Sequence, residues 1–251
     1  MRPSVELLAL AGLPLIAPGD DLARILASAL TGAQPGDVLV LAQKIVSKAE
    51  NRYRALADVQ ASPAACDWAA KVDKDPRLVQ LILDESTEVL RWRRGAMIVR
   101  HRLGQVQANA GIDQSNIPAE PGNPRVLLLP VDPDASARRL REALSAACGF
   151  DLPVIIADSA GRPWRNGILG FAIGSAGIQP VVDKVGERDL FGRPLEITQV
   201  AVVDELACAA SLLMGQAAEG LPAVLVRGAR WQPADCGAGA LIRAPEEDLF
   251  R

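Results

Sequence analysis

The sequence has few of the side chains on which common metal and nucleophile chemistries depend. Its 251 residues include one histidine, His101, and four widely separated cysteines with no CxxC pair. One histidine cannot complete a Cys/His zinc site, and it argues against a serine-triad hydrolase. Aromatic residues make up 4% of the chain, so Ala, Val, Leu and Ile must fill most of the core.

Positive charge and long apolar segments are also scarce. The net charge is -3, and no run of Lys or Arg exceeds two residues, whereas nucleic-acid-binding surfaces are far more basic. The nearest basic stripe, residues 91–94, is interpreted as a solvated strand face. No apolar run approaches the ~18 residues of a membrane span, and the first residues lack the features of a signal peptide. We therefore expect a cytoplasmic protein with no nucleic-acid or membrane partner.

Familiar nucleotide and hydrolase fingerprints are absent as well. The sequence has no GxxxxGK[ST] phosphate loop and no GxGxxG after a predicted strand. It also has no GxSxG nucleophile elbow. Any nucleotide chemistry must therefore use a different kind of site.

The order of the predicted elements indicates an α+β fold with a mixed sheet. Short apolar runs at 38–41, 154–157 and 223–226 are typical of buried strands. Residues 89–107 alternate between apolar and polar, as in a β-meander or hairpin. A periodic helix is predicted to begin at Asp134, and helical segments are interspersed without a steady βαβ rhythm.

The domain organisation follows from length and from one break in composition. A chain of this size forms one large domain or two packed subdomains. We predict a single domain over 1–251. The Gly/Pro-rich stretch 118–124 is the only segment that resembles a joint between subdomains.

Two polar segments are candidates for a ligand site. The first, residues 109–116, places Asp113 and Asn116 among small residues, and such oxygen donors suit Mg²⁺ or Mn²⁺. A turn in which Asp113 caps the backbone explains the same pattern. In the second, residues 158–167, a buried strand is predicted to end at Asp158 and a polar loop to follow. Arg162 and Arg165 in that loop could hold a phosphate or carboxylate.

A third candidate follows the predicted strand 38–41. Lys44 and Lys48 are four residues apart, so on a helix they would share a face. Two ammonium groups there could neutralise a triphosphate. A solvated helix start explains the pattern equally well.

Taken together and in order, these segments resemble the coenzyme F-420 γ-glutamyl ligase family. Each segment is weak evidence alone, but their order and spacing make the resemblance specific, and it extends over about residues 10–230. The matching segments are 12–16, 47–50, 109–113, 115–116, 132–134, 158–167, 170–174, 189–193, 204–205, 213–215 and 222–228.

The resemblance implies mixed sheets in two intimately packed subdomains and an intimate homodimer. It also implies an enzyme that uses GTP to add L-glutamate to coenzyme F-420-0 and then extends the product through γ-linkages. GTP and divalent metal, Mg²⁺ or Mn²⁺, would lie near the dimer interface, with a monovalent cation as a further candidate.

The resemblance also assigns residues to ligands. Asp113 and Asp158 would bind one metal, and Ser159 and Gln216 occupy positions for a second. The implied contacts to GTP are Leu13, Pro14, Leu15, Ile16, Gln43, Lys44, Lys48, Asn116, Met214, Gly215, Gln216, Gly220 and Leu221.

The sequence departs from the family pattern at two of these positions. Ser159 stands where threonine is expected and preserves the hydroxyl. Gln216 stands where glutamate is expected, and its neutral amide should weaken the second metal site. Either Glu219 substitutes for it, or the triphosphate recruits that metal.

Amide formation from a carboxylate requires its activation, and the economical route is transfer of the γ-phosphoryl group to give an acyl phosphate. In this hypothesis Asp113 and Asp158 serve the reaction through the metal. Arg162 or Arg165 stabilises the phosphoryl group or binds the acceptor. Two alternatives stay open: a related nucleotide-dependent ligase with another acceptor, and a non-catalytic nucleotide-binding homologue.

Overall fold

The computed structural model describes residues 3–118 and 122–249, and it has the predicted α+β architecture. The β-strands are β1 (Glu6–Ala9), β2 (Val38–Ala42), β3 (Tyr53–Ala55), β4 (Ser86–Arg93), β5 (Ala96–His101), β6 (Val106–Ala108), β7 (Arg125–Leu127), β8 (Val154–Arg162), β9 (Arg165–Ala176), β10 (Val182–Asp183), β11 (Gln199–Val200) and β12 (Ala223–Arg227). The α-helices are α1 (Leu22–Ala29), α2 (Gln43–Ala49), α3 (Pro63–Val72), α4 (Pro76–Asp84), α5 (Pro133–Cys148) and α6 (Val202–Met214).

The central feature is a mixed five-stranded sheet in the order β1-β12-β2-β8-β9. Strands β2 and β8 are parallel, with Leu41 opposite Ile156, and the other pairs are antiparallel. Because two parallel neighbours end at the same edge of a sheet, the residues that follow β2 lie beside the second half of β8. This adjacency brings two of the predicted polar segments together.

Side chains alternate between two cores on opposite faces of the sheet. Leu39 and Leu41 pack with α1 and α5 on one face, whereas Val38 and Val40 pack with α6 on the other. Strands covered on both faces are apolar at every position, which is why residues 38–41, 154–157 and 223–226 form continuous apolar runs. The prediction of buried strands is confirmed at all three.

A third core belongs to the other lobe of the molecule. Helices α3 and α4 pack on the antiparallel meander β4-β5-β6, with Ile82, Met97 and Val99 buried between them. Asp75 caps α4 through the backbone N–H of Arg77 at 2.8 Å. The meander predicted over 89–107 is thus confirmed, and residues 91–94 are exposed as expected.

The segment 158–167 is not a loop, so the prediction of a strand ending at Asp158 is wrong. Strand β8 continues to Arg162 and returns as β9, with Asp158 opposite Phe171 and Arg162 opposite Arg165. The distal part of this hairpin is mostly exposed, so it carries Gly, Arg and Asn and lacks the apolar pattern by which buried strands are recognised.

One further boundary differs from the prediction. Helix α5 begins at Pro133, one residue before the predicted Asp134, because the carboxylate of Asp132 accepts the backbone N–H of Ala135 at 2.9 Å and caps the helix. Asp134 accepts the backbone N–H groups of Ser175 and Ala238, both at 2.8 Å. It therefore ties β9 to the C-terminal segment.

The structure does not test the predicted subdomain joint or the single-domain assignment. Residues 119–121 of the predicted joint lie outside the described part of the chain, so the joint and the single-domain assignment stay predictions. No helix among the described residues combines the length and apolar character that crossing a bilayer requires.

Burial in the first core predicts a stability difference between two leucines. Leu144 of α5 is 0% exposed, whereas Leu249 is 90% exposed. Leu144→Ala should lower the free energy of unfolding by about 3 kcal/mol, and Leu249→Ala should change it by less than about 0.5 kcal/mol. Urea denaturation of both variants measures the difference, and equal effects would contradict the assigned core.

Candidate active site

Helix α2 carries a pair of lysines and a glutamine to the end of β2. The helix follows the strand without an intervening loop, so Gln43 and Lys44 occupy its first positions and Lys48 its last turn. The predicted helix is confirmed, and its four-residue spacing places both lysines on the wall of one cleft. Burial, followed by the charge of Lys44, lowers the pKa of Lys48.

Asp113 is fixed from both its backbone and its side chain. Its backbone N–H and C=O each hydrogen-bond Leu127 at 2.9 Å. Its carboxylate accepts from Gln43 Nε2 at 2.6 Å and pairs with Lys44 Nζ at 2.5 Å. Side chains of α2, not a local turn, therefore hold the carboxylate.

Asp158 lies on β8 in the same electrostatic environment as Asp113. Burial and, after it, the charge of Asp113 raise the pKa of Asp158 to about 7. The backbone N–H of Ser159, the charge of Lys44 and a hydrogen bond from Gln43 act in the opposite direction. Two carboxylates thus share one site, and the charge of Lys44 offsets only part of the burial and repulsion that raise the pKa of Asp158.

Gln43 is oriented by a buried hydroxyl that the sequence did not single out as functional. Ser47 Oγ donates to Gln43 Oε1 at 2.8 Å, and both side chains are buried. With its oxygen occupied in this way, the amide presents its NH₂ group to Asp113. The four-residue spacing of 43 and 47 on a helix was the signal that could have revealed the pair.

Asn116 connects two walls of the site. Its backbone carbonyl accepts from Lys48 Nζ at 2.7 Å, and its Nδ2 donates to the carbonyl of Ala217 at 2.7 Å. Asn116 has φ +56°, a left-handed conformation that asparagine tolerates better than most residues. The segment after Asp113 is thereby joined both to α2 and to the turn that follows α6.

These elements surround a cleft of about 680 Å³. This volume is in the range of sites for small molecules and cofactors. The cleft brings together all thirteen residues that the resemblance assigned to GTP, together with Asp158 and Ser159. Its remaining lining residues are Ala42, Ile45, Ser115, Ile117, Pro118, Ala157, Gly170, Ser211, Ala217, Ala218 and Pro222.

Close packing at Gly170 forms the part of the cleft next to α6. A Cβ atom on Gly170 would lie 2.6 Å from the carbonyl oxygen of Ala207 and 2.8 Å from Cβ of Ser211. Only glycine allows β9 to approach α6 so closely, and this approach places Ser211 and Met214 at the cleft. The sequence showed the glycine but not the helix that it contacts.

The turn after α6 contains both residues considered for a second metal. Gln216 is exposed and lines the cleft. Glu219 accepts the backbone N–H of Ala217 at 2.8 Å, and further hydrogen bonds from backbone N–H groups of this turn lower its pKa. The carboxylate of Glu219 therefore serves the turn in this conformation.

The cleft does not include the two arginines that were expected to act on the phosphoryl group. Arg162 and Arg165 face each other at the end of the β8-β9 hairpin, and neither is among the described residues that line the cleft. Arg162 lines a separate depression. A strand rises ~3.3 Å per residue, so four residues separate Arg162 from Asp158 by roughly 13 Å.

The fold and the cleft define an α+β protein with a cleft that carries lysine and carboxylate side chains, and comparisons with known proteins identify its family. The model of the F-420-0:gamma-glutamyl ligase family matches residues 12–228. The chain is 47% identical to the coenzyme F-420:L-glutamate ligase of Methanothermobacter thermautotrophicus, over 98% of this chain and 99% of that protein.

Two further proteins with the same name show similar agreement. That of Methanopyrus kandleri is 46% identical, over 94% of this chain and 93% of its own length. That of Archaeoglobus fulgidus is 43% identical, over 98% and 96%. The chain therefore belongs to the F-420-0:gamma-glutamyl ligase family, and it is an enzyme of the ligase class that forms C–N bonds.

The raised pKa of Asp158 predicts how stability depends on pH without metal. The folded state keeps a proton on Asp158 up to about pH 7, whereas the unfolded chain releases it near pH 4. Stability should therefore fall as pH rises between these values, by at most about 1.4 kcal/mol per pH unit. In Asp158→Asn this contribution is absent, so with a chelator the variant should gain stability relative to wild type up to pH 7, and the difference should then level off.

Denaturation at pH 5, 6, 7 and 8 measures this difference. Solvent that reaches the partly buried carboxyl reduces the total below its upper bound of about 4 kcal/mol. Asp58→Asn, which changes an exposed carboxylate, is the matched control. Parallel pH curves for wild type and Asp158→Asn would contradict the assigned environment.

Proposed function

We propose that this ligase uses GTP to join L-glutamate to coenzyme F-420-0 and then to its glutamylated products. The observation that carries the proposal is that Asp158, Lys44 and Lys48 line one cleft and that Gln43 and Lys44 of its wall contact Asp113. Carboxylates that need a cation, next to lysines that can meet phosphate oxygens, are the components that phosphoryl transfer requires. The names of the relatives support the acceptor and the amino acid.

GTP would lie along the cleft with its two ends in different surroundings. Residues 13–16 provide an apolar wall, with Leu15 94% exposed and free to cover a base. Lys44 and Lys48 supply positive charge for the phosphates. The pKa of Lys48 is lowered by burial and by Lys44, and an anion at this position would relieve that repulsion.

The residues present fit a divalent cation. Two carboxylates share the site, and mutual repulsion contributes to the raised pKa of Asp158. Among residues 3–118 and 122–249, no three His, Cys, Asp or Glu side chains cluster in a way that could hold a metal ion. Asp113 and Asp158 would therefore hold Mg²⁺ or Mn²⁺ with phosphate and water as the remaining ligands, and the bound ion would neutralise charge on the phosphate oxygens.

A second ion would find weaker protein ligands. Ser159 and Gln216 offer neutral oxygens, and the carboxylate of Glu219 is engaged by its own turn. We infer that the triphosphate is the main ligand of a second divalent ion or of a monovalent cation. Of the two explanations for Gln216, this inference adopts recruitment by the nucleotide over substitution by Glu219.

The reaction would proceed by two displacements. A carboxylate oxygen of the acceptor attacks the γ-phosphorus of GTP, the bond to the β-phosphate oxygen breaks, and GDP leaves. The amine of glutamate then attacks the acyl carbon, inorganic phosphate leaves, and the amine loses a proton. Lys44 and Lys48 would orient the phosphates and balance their charge. We do not assign this role to Arg162 or Arg165, because neither lines the cleft.

We also propose a homodimer. The segment between β10 and β11 leaves Leu190, Phe191 and Ile197 at least 88% exposed. Large apolar side chains exposed together are typical of association surfaces. We call residues 184–198, between β10 and β11, the exposed arm. A second copy of the chain would cover this arm, as the family resemblance implies.

The proposed chemistry predicts loss of turnover when one carboxylate is neutralised. Asp158→Asn removes a metal ligand but keeps the shape of the side chain, so glutamate addition should fall at least about 100-fold. The assay contains purified protein, GTP, Mn²⁺, L-glutamate and F-420-0, and products are scored by mass together with released phosphate. Asp58→Asn should retain wild-type turnover.

Wild-type turnover in Asp158→Asn would disprove the metal assignment. Replacing GTP by ATP, and F-420-0 by other carboxylic acids, tests the nucleotide and the acceptor separately. Phosphate release with another acid and none with F-420-0 would identify a related ligase. No phosphate release with any acid would identify a non-catalytic homologue.

The exposed arm predicts a change in assembly. Phe191→Ser should shift the protein from dimer toward monomer at micromolar concentration, because an apolar contact is lost from the interface. Sedimentation equilibrium measures the masses, and Val131→Ser, at another exposed apolar residue, serves as the control. A wild-type protein that sediments as a monomer would refute the dimer.

A further inference from the structure

A second depression, of about 350 Å³, lies beside the β8-β9 hairpin and shares none of its lining residues with the cleft. Three arginines line it: Arg100 from β5, Arg162 from the end of β8, and Arg243 from the C-terminal segment. Three segments that are far apart in sequence thus contribute arginines to one small cavity.

Two hydrogen-bond donors at this depression are buried and unused. Nη2 of Arg100 and Nε2 of Gln105 are shielded from solvent and have no partner among the described residues. Arg100 contacts Glu88 only through Nε, at 3.4 Å. Leaving a buried donor unsatisfied costs ~1–3 kcal/mol, so two such groups beside one cavity indicate acceptors that a ligand would supply.

The charge balance favours an anion. Asp204 also lines the depression, but its carboxylate accepts the backbone N–H of Ala172 at 2.8 Å, so it is occupied within the fold. Asp248 is the second acidic residue at the rim. Glu88 pairs with Arg100 at 3.4 Å, which leaves the guanidinium groups of Arg162 and Arg243 at the cavity with the carboxylate of Asp248 at its rim.

Much of the remaining lining is apolar, and it lacks a side chain at Gly161. Leu169 and Phe171 of β9 form one wall, and Leu241 and Ile242 form the other. Gly161 carries no side chain and has open space where a Cβ would lie. A narrow cavity with apolar walls and polar groups at its edge suits a flat ring system, and arginine stacks on such rings.

We propose that this depression binds the ring end of the acceptor, a flat, acidic, carbonyl-bearing heterocycle of the deazaflavin kind. This inference rests on the proposed function. Strand β8 connects the two sites: Asp158 lies at the cleft and Arg162 at the depression, roughly 13 Å apart along the strand. An acceptor lying along the hairpin would place its ring among Arg100, Gln105 and Arg162 and its carboxylate near Asp158.

In this proposal Arg162 contributes to the affinity of the enzyme for the acceptor. Arg162→Ala should raise KM for F-420-0 at least about 10-fold, the effect of losing one charge-assisted contact. KM for GTP and kcat should stay within about 2-fold of wild type. Arg93→Ala, which removes an exposed arginine of the neighbouring meander, should leave all three constants unchanged. A fall in kcat with unchanged KM for F-420-0 would overturn the proposal.

Direct binding tests the depression without turnover. The probe is the deazaflavin ring with its ribityl chain and no phosphate or carboxylate, followed by its fluorescence. Wild type should bind it, F-420-0 should displace it, and Arg162→Ala should weaken it at least about 10-fold. Binding that is equal in wild type and Arg162→Ala, or no binding, would overturn the assignment.

The two proposals fail in different ways. If the purified protein makes no glutamylated product but binds the ring fragment in an Arg162-dependent manner, the proposed reaction is wrong and the ring site stands. If product forms normally in wild type and in Arg162→Ala at limiting F-420-0, the reaction stands and the ring site is wrong. Displacement of the probe by inorganic phosphate but not by F-420-0 would also reject the ring site and indicate a phosphate site.

Discussion

The site depends on one electrostatic constraint: two carboxylates, Asp113 and Asp158, are held in the same partly buried place. Repulsion and burial both oppose their joint ionisation. Lys44 and the amide of Gln43 offset part of this cost through contacts of 2.5 and 2.6 Å. The part of the repulsion that these contacts do not offset would favour binding of a further positive charge. This is the basis of the metal proposal.

Contacts to one of these carboxylates also join the two lobes. Asp158 belongs to the five-stranded sheet, whereas Asp113 follows the meander whose core is formed with α3 and α4. Gln43 and Lys44 contact Asp113 from the end of β2. The candidate active site is therefore an interface between lobes, so changes in packing of either lobe would be felt at the carboxylates.

The β8-β9 hairpin contributes residues to both cavities. Some residues of the two strands line the cleft, and others, including Arg162 at the end of β8, line the arginine-lined depression. An acceptor must bring a carboxylate to the phosphoryl group while the rest of the molecule is bound elsewhere. A rigid hairpin running between two cavities meets that requirement, and it gives Arg162 a role in affinity in place of the phosphoryl contact first expected of it.

Local physical signals in the sequence determined the elements and much of the site. Continuous apolar runs predicted the strands at 38–41 and 223–226, and the ordered segments predicted the family and the residues that gather at the cleft. Tertiary structure decided what no local pattern contains. The hairpin beyond Asp158 depends on pairing with β9, and the grouping of Arg100, Arg162 and Arg243 depends on contacts between residues far apart in the chain. Such pairing and contacts form only when the chain is packed. The extended strand that results carries Arg162 away from the cleft, although Arg162 lies only four residues from Asp158.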